Sequence, residues 1–225
     1  MNKAIFFDID GTLLDTSSFA QIARRGAIDV MVENGLPSNQ TETYEILKEI
    51  IAEKGPNYNK HFNILTKRIC GKEDNLLIAL GVVTYHNIKI SLLRAFPKTI
   101  QTLIYLKSKG YKLGIISNGI SIKQWEKLVR LDIHDFFDEV ITSEDVRFEK
   151  PKKEIFEEAM NRMNCNPKNS TMIGDKFEID IMGAVNAGMS AILINSKFDA
   201  GISKKVLENF DIEIINTIGE LKNIL

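Results

Sequence analysis

The sequence predicts a doubly wound α/β sheet interrupted by an inserted all-helical domain. Three observations carry that prediction. The apolar run Ala4-Ile5-Phe6-Phe7 reads as a buried strand. From about Asp15 to Phe96 the apolar residues recur only at helical spacing. From Pro97 onward, strand-like and helix-like segments alternate, as parallel strands joined by right-handed crossovers require. The first strand therefore belongs to a sheet whose other strands lie far downstream. Residues 1–15 and 97–225 form the α/β core, and residues 16–96 form a helical domain inserted into it.

Within the insertion, Phe19, Ile22, Ala23, Ala27, Val30 and Met31 mark a first helix, broken by Asn34-Gly35-Leu36-Pro37. Tyr44, Leu47, Ile50 and Ile51 mark a second, stopped by Gly55-Pro56. A third runs through Phe62, Leu65 and Ile69 to Gly71. A fourth covers Asn75 to Arg94, with Gly81 a candidate break. In the core, a helix through Ile100, Leu103 and Leu106 precedes the strand Leu113-Gly114-Ile115-Ile116-Ser117. A helix around Trp125 to Val129 follows, with Trp125 spaced to pack in the core beside Leu128 and Val129. Strands near Glu139-Val140-Ile141, Thr171-Met172-Ile173-Gly174 and Ala191-Ile192-Leu193-Ile194 alternate with helices over Ile155 to Met160 and Ile179 to Ala187. A strand around Ile212 to Ile215 and a short helix, Ile218 to Ile224, close the chain.

The chain has 225 residues, 44% hydrophobic and 26% charged, ordinary for a globular protein. A formal net charge of −1, from 29 basic and 30 acidic residues, argues against a nucleic-acid partner. No apolar stretch reaches the roughly 18 residues of a membrane span. The first strand starts at once, leaving no room for a signal peptide. A cytoplasmic location is expected. Cys70 and Cys165 match no metal or redox spacing and are expected to stay reduced.

Chemistry gathers at the strand ends. Asp8-Ile9-Asp10-Gly11-Thr12 follows the first strand directly. Residues i and i+2 of an extended chain share a face about 6–7 Å apart, and two acids there are costly unless a metal or a reaction uses them. In open α/β sheets, ligands bind outside the carboxyl ends of the strands. Ser117-Asn118-Gly119 ends another strand. Asn-Gly alone signals a turn, but here it joins strand to helix and turns a hydroxyl and an amide toward the crevice of Asp8. Lys150-Pro151 alone reads as a solvated lysine at a helix start, with proline in the first turn aiming Lys150 at the strand ends. Gly174-Asp175 ends a further strand, and Asp180 follows. Each aspartate alone reads as a cap or surface acid. Their joint order outweighs these separate readings.

These four segments, in this order, resemble the motifs of the haloacid dehalogenase-like hydrolase superfamily, with its Rossmann-like core. The resemblance implies that Asp8 is a nucleophile and Asp10 a general acid and base. It places Thr12, Ser117, Asn118 and Lys150 at the phosphate. Asp8, Asp175 and the backbone carbonyl of Asp10 would hold Mg²⁺, with Asp180 behind them orienting Lys150 or a metal-bound water. The insertion resembles the family's type-one cap. Asn59-Lys60-His61-Phe62, Thr84-Tyr85-His86-Asn87 and Ile122-Lys123-Gln124-Trp125-Glu126-Lys127 further resemble an archaeal subgroup of glyceraldehyde 3-phosphate phosphatases.

The implied chemistry suits these residue types. Phosphate-monoester hydrolysis needs rate enhancements up to about 10²¹. A carboxylate nucleophile splits it into two easier steps, and hard cations offset repulsion between that carboxylate and an anionic phosphoryl group. Asp10 must be protonated when the alcohol leaves and ionised when water attacks. An acid at position 10 favours phosphoryl transfer over dehalogenation, whose halide needs no acid. The expected activity is Mg²⁺-dependent hydrolysis of a small phosphorylated metabolite. Phosphoglycolate phosphatase, phosphomutase and 2-haloacid dehalogenase activities are the alternatives on the same scaffold. Arg24, Arg25, His61, His86 and Arg94 are candidates for reading the leaving group, each with a solvated or structural role as the plainer reading.

Overall fold

The computed structural model describes residues 3–56, 58–194 and 212–225. The chain divides into two compact units: Met1–Asp15 with Arg94–Leu225, and Thr16–Leu93. The return to the first unit falls slightly ahead of Pro97. Leu14 pairs with Ala95, and the Phe96 N–H donates to the Leu13 carbonyl, so these residues are tied to the sheet side of the junction.

Among the described residues, the first unit is built on six parallel strands in the order β3-β2-β1-β4-β5-β6. They are β1 Ala4–Phe7, β2 Lys112–Ser117, β3 Glu139–Thr142, β4 Ser170–Gly174, β5 Ser190–Ile194 and β6 Glu213–Ile215. The expected doubly wound sheet is the fold observed. From β1 the chain steps outward through β2 to β3, then returns to lay β4 on the other flank of β1. The strand order thus reverses between β1 and β4, where such sheets open a crevice at their carboxyl ends. The central strands are buried on both faces: Phe6 and Phe7 are fully buried, as are Ile115, Ile116 and Ile173. That explains their near-continuous apolar runs. Phe6, Ile116, Ile141, Phe156, Met172 and Leu193 belong to one contiguous core.

The second unit holds α1 Thr16–Glu33, α2 Gln40–Lys54, α3 His61–Cys70 and α4 Asn75–Leu92. Asn39 caps α2 through the Glu42 N–H, and Asp74 caps α4 through the N–H groups of Leu76 and Leu77. Ala27, Ile28, Met31, Leu47, Ile50, Phe62, Leu65 and Leu77 form its core. Gly81 does not break α4. A Cβ there would lie 2.7 Å from Met31 Sδ and 3.3 Å from the Phe62 ring, so glycine lets these side chains close against the helix. α4, with 18 residues, is long and apolar enough by length and composition alone to cross a membrane. This corrects the expectation that no stretch reaches that length. Polar residues such as His86, Asn87 and Lys89 are spread along it, so its apolar character emerges only as an average.

The core helices are α5 Thr99–Ser108, α6 Ser121–Arg130, α7 Ser143–Val146, α8 Lys153–Arg162 and α9 Met182–Asn186, with a short helix at Leu221–Ile224. Trp125 is not in the core. On α6 the inward residues are Gln124 and Leu128, which leaves Trp125 38% exposed and Val129 54% exposed. Residues i and i+4 set the buried stripe, and positions 125 and 129 lie one step round the helix from it. Pro151 precedes α8, with Lys152 as N-cap, instead of entering its first turn, and the Lys150–Pro151 bond is cis.

Candidate active site

Asp8 lies one residue past β1, its N–H bonded to the Ile173 carbonyl of β4 at 2.9 Å. The register aligns Phe7, the last residue of β1, with Ile115 on one side and Ile173 on the other, so β4 runs on to Gly174 and β2 to Ser117 on either side of Asp8. Asp8, Asp175 and Asp180 meet there, with carboxylate oxygens within 4.8 Å of one another. Gly11 makes the closure possible. Its φ of +94° is left-handed, and a Cβ on it would run into the Asp175 carboxylate.

Lys150 balances this cluster. It is only 4% exposed. Its ammonium donates to Asp8 Oδ1 at 2.7 Å, Asp180 Oδ1 at 2.6 Å and the Ile116 carbonyl at 2.7 Å. Three donors meet three acceptors. Burial alone would lower the lysine pKa, but the charges of Asp8 and Asp180 override it and hold the group above its ordinary value. The solvated lysine of the plainer reading is thereby excluded. Asn118 fixes it from behind: the Lys150 N–H donates to Asn118 Oδ1 at 2.8 Å, and Asn118 Nδ2 donates to the Lys150 carbonyl at 3.0 Å. The side-chain amide expected to face a phosphate thus spends its oxygen and one of its two N–H groups on the Lys150 backbone. Ser117 is buried at the tip of β2.

Asp180 arrives by an unusual route. Phe177–Ile181 is a π-helical turn leading into α9, the kind of widened turn frequent at functional sites. Its carboxylate has both oxygens engaged, Oδ1 by Lys150 and Oδ2 by the Lys176 N–H at 3.0 Å. By contrast, Asp8 Oδ2 and Asp175 Oδ1 are buried with no hydrogen-bond partner among the described residues. Burial, followed by the charges of Asp8 and Asp180, pushes Asp175 up to about 7. Two orphaned oxygens in a crowded acidic cluster fit a hard divalent cation held by Asp8 and Asp175, with Asp180 positioning Lys150.

Asp10 stands apart from the cluster. Its two oxygens lie 2.7 and 2.6 Å from the ammonium of Lys127 on α6. The two acids of the Asp-Ile-Asp segment are thereby divided between two lysines, Lys150 and Lys127. Sequence alone does not mark Lys127 as a site member, although the segment 122–127 carries a family resemblance. Its helical spacing from Gln124 was the available signal. Thr12 is fully buried, with its hydroxyl unpartnered among the described residues. It lines a cavity of about 170 Å³ with Phe96, Pro97, Lys98, Ile194 and Thr217.

Of the leaving-group candidates, Arg94 belongs to the sheet unit. In the helical unit, the Arg25 guanidinium stacks 4.4 Å from the Tyr44 ring centre. His61 Nε2 bonds the Gly55 carbonyl at 2.9 Å. His86 packs edge-on to Tyr85.

A doubly wound sheet with paired strand-tip acids and a buried lysine is the framework of one hydrolase class. The chain belongs to the haloacid dehalogenase-like hydrolases, whose family model matches residues 5–194. It is 60% identical to the glyceraldehyde 3-phosphate phosphatase of Methanothermobacter thermautotrophicus, over 100% of both chains. It is 47% identical to the protein of the same name from Methanocaldococcus jannaschii, over 86% of this chain and 85% of that one. Among solved structures, the HAD phosphatase from Thermococcus onnurineus superposes with a TM-score of 0.70 at 27% identity, covering 99% of this chain and 97% of that one.

Proposed function

We propose that this protein is a phosphatase acting on a small phosphorylated metabolite, with glyceraldehyde 3-phosphate as first candidate, and that Asp8 forms an aspartyl-phosphate. The observation that carries the reading is the division of labour between the two acids. Asp8 lies in the orphan-oxygen cluster beside Lys150. Asp10, two positions on, is held outside that cluster by Lys127. Nucleophile and proton carrier are thus kept separate, as a two-step ester hydrolysis requires. The identity to two proteins named glyceraldehyde 3-phosphate phosphatase supports the substrate.

Asp8 and Asp175 would hold the cation, Mg²⁺ in the family's usual chemistry. When bound, it supplies positive charge at the phosphoryl oxygens. The chain's own residues then act in sequence. Lys150, held by Asp180, fixes the Asp8 carboxylate, one of whose oxygens attacks phosphorus as the bond to the ester oxygen breaks. Asp10 delivers its proton to the departing alkoxide, yielding the free alcohol. In the second step Asp10, now ionised, takes a proton from water as that water attacks the phosphorus. The Asp8–phosphorus linkage opens, returning the carboxylate and releasing inorganic phosphate. Ser117, buried at the end of β2, would donate its hydroxyl to the phosphate.

The test is phosphate release from triose, pentose and hexose phosphates, phosphoglycolate and nucleotides, with and without Mg²⁺. Asp8→Asn, close to isosteric, is expected to fold and release none. Turnover by that variant refutes the covalent route. An isomerised sugar phosphate in place of free phosphate would make the protein a phosphomutase.

A further inference from the structure

We propose that Lys127, braced by Gln124, is a positioning residue that fixes the Asp10 carboxylate in one orientation outside the cation cluster, where it serves as the proton carrier. The inference rests on the phosphatase reading above. The Lys127 ammonium reaches both oxygens of Asp10 and also Gln124 Oε1, at 2.8 Å. Gln124 is 4% exposed, and its Nε2 donates to the Asn118 carbonyl at 3.0 Å. An unbroken chain of contacts therefore runs from the β2 tip through Gln124 and Lys127 to Asp10. The same Asn118 clamps Lys150 through its side chain. One short segment after β2 thus sets both lysines, one for each acid.

Stability gives a poor account of this pair. The side chains of Lys127 and Asp10 are 15% and 25% exposed. Removing two charges from most of their water costs about as much as their attraction returns. The pair also spans 117 positions of sequence, so no local helix geometry imposes it. Lys123, a turn earlier on α6, is exposed, so a generally basic face does not explain it either. What the contact does accomplish is separation. Asp10 is only two residues from Asp8, and an untethered carboxylate there is free to swing toward a cation as a further ligand. Ligation would remove the group needed to carry the proton. A hold by Lys127 on both oxygens keeps the ionised Asp10 in one orientation, one of the two contacts opening when the carboxyl takes its proton, and a brace rooted in a strand tip keeps Lys127 in turn from wandering.

The experiment compares two esters under saturating Mg²⁺. Glyceraldehyde 3-phosphate releases an alkoxide that needs a proton, whereas p-nitrophenyl phosphate releases an anion that needs none. The ratio kcat/KM covers the steps through cleavage of the ester bond, so only the first ester depends there on Asp10. Lys127→Met is expected to lower kcat/KM for glyceraldehyde 3-phosphate about 10- to 100-fold, and for p-nitrophenyl phosphate less than about threefold. Lys127→Arg is expected to recover most of the loss, and Lys123→Met to change neither ester. Gln124→Leu, which leaves the charge but removes the brace, keeps the test open if Lys127→Met does not fold, and it should show the same bias in smaller measure. Equal losses on both esters, or none on either, overturn the proposal. Failure of the phosphatase reading looks different: the unsubstituted protein would cleave neither ester, or Asp8→Asn would cleave both.

Discussion

The three N–H bonds of the Lys150 ammonium end on Asp8, Asp180 and the Ile116 carbonyl, and each acceptor lies in a different part of the chain. Asp8 is 142 positions away, Ile116 34 and Asp180 30. No local pattern could reveal the burial of this lysine. A single Lys-Pro pair carries no amphipathic signature, and only its order among the other motifs marked it. Asp8 and Asp175 are legible for the opposite reason, since each stands just beyond a recognisable strand end, whereas Asp180 is marked only by following Asp175 five residues on. Asn118 was legible as a position but not as a contact, because its amide turns back onto the Lys150 backbone. Lys150→Met should therefore do more than stop catalysis. It leaves two buried carboxylates facing each other without a cation, a loss of roughly 3–5 kcal/mol when one partner of a buried pair is removed. In a chain of this size that amounts to a fall in Tm on the order of 10 °C, measurable by thermal unfolding in EDTA. A Tm equal to that of the unsubstituted protein would show that the carboxylates do not need their cation.

Elements were read well wherever periodicity was strong and less well where one residue shifts the phase. The strands β1, β2, β4 and β5 are nearly continuous apolar runs and were found close to their observed bounds. The helix expected from Ile179 begins instead as the π-helical turn Phe177–Ile181. A widened turn has no apolar period of its own, so sequence cannot separate it from an ordinary first turn. On α6, the stripe through Trp125 looked like the packing face because it is apolar. The buried stripe instead carries the polar Gln124, held by the Asn118 carbonyl and Lys127. Propensity alone makes Gly81 a candidate break, whereas packing decides its role. Two effects compete in Gly81→Ala. Alanine favours the helix by about 1 kcal/mol, but overfilling a packed core costs about 1–3 kcal/mol. Met31 is fully buried and cannot retreat to solvent, so packing should win. The variant is expected to unfold at lower denaturant concentration, with a loss of about 1 kcal/mol. A raised midpoint would mean that α4 moves aside at no cost.

For the whole molecule, the acidic cluster at the sheet's switch point couples stability to pH and to cation. Asp175 is raised from its usual 3.8 to about 7, by burial first and then by the charges of Asp8 and Asp180. Asp180 is also raised, by burial and by Asp8 against the pull of Lys150. A carboxyl whose folded pKa exceeds its unfolded one binds its proton more tightly in the native state. Its contribution is complete below about pH 4 and is lost as pH rises through about 7. Without a cation, then, this site makes the protein less stable at pH 8 than at pH 5. The unscreened shift of Asp175 corresponds to about 4 kcal/mol. Because the carboxyl is partly exposed, about half of that is a fairer figure, or some 5 °C in Tm. Mg²⁺ should act in the opposite sense. It binds only the assembled site and competes with the proton for the same oxygens, so it stabilises most where the carboxyls are ionised. Thermal unfolding at pH 5 and pH 8, in EDTA and in Mg²⁺, separates these effects. The expected Tm falls with pH in EDTA, and Mg²⁺ raises it more at pH 8 than at pH 5. Asp175→Asn, which removes the titrating group, should flatten the EDTA curve and blunt the Mg²⁺ response together. A Mg²⁺ response of equal size at both pH values, or one that survives Asp175→Asn intact, would mean that the cation binds elsewhere in the chain.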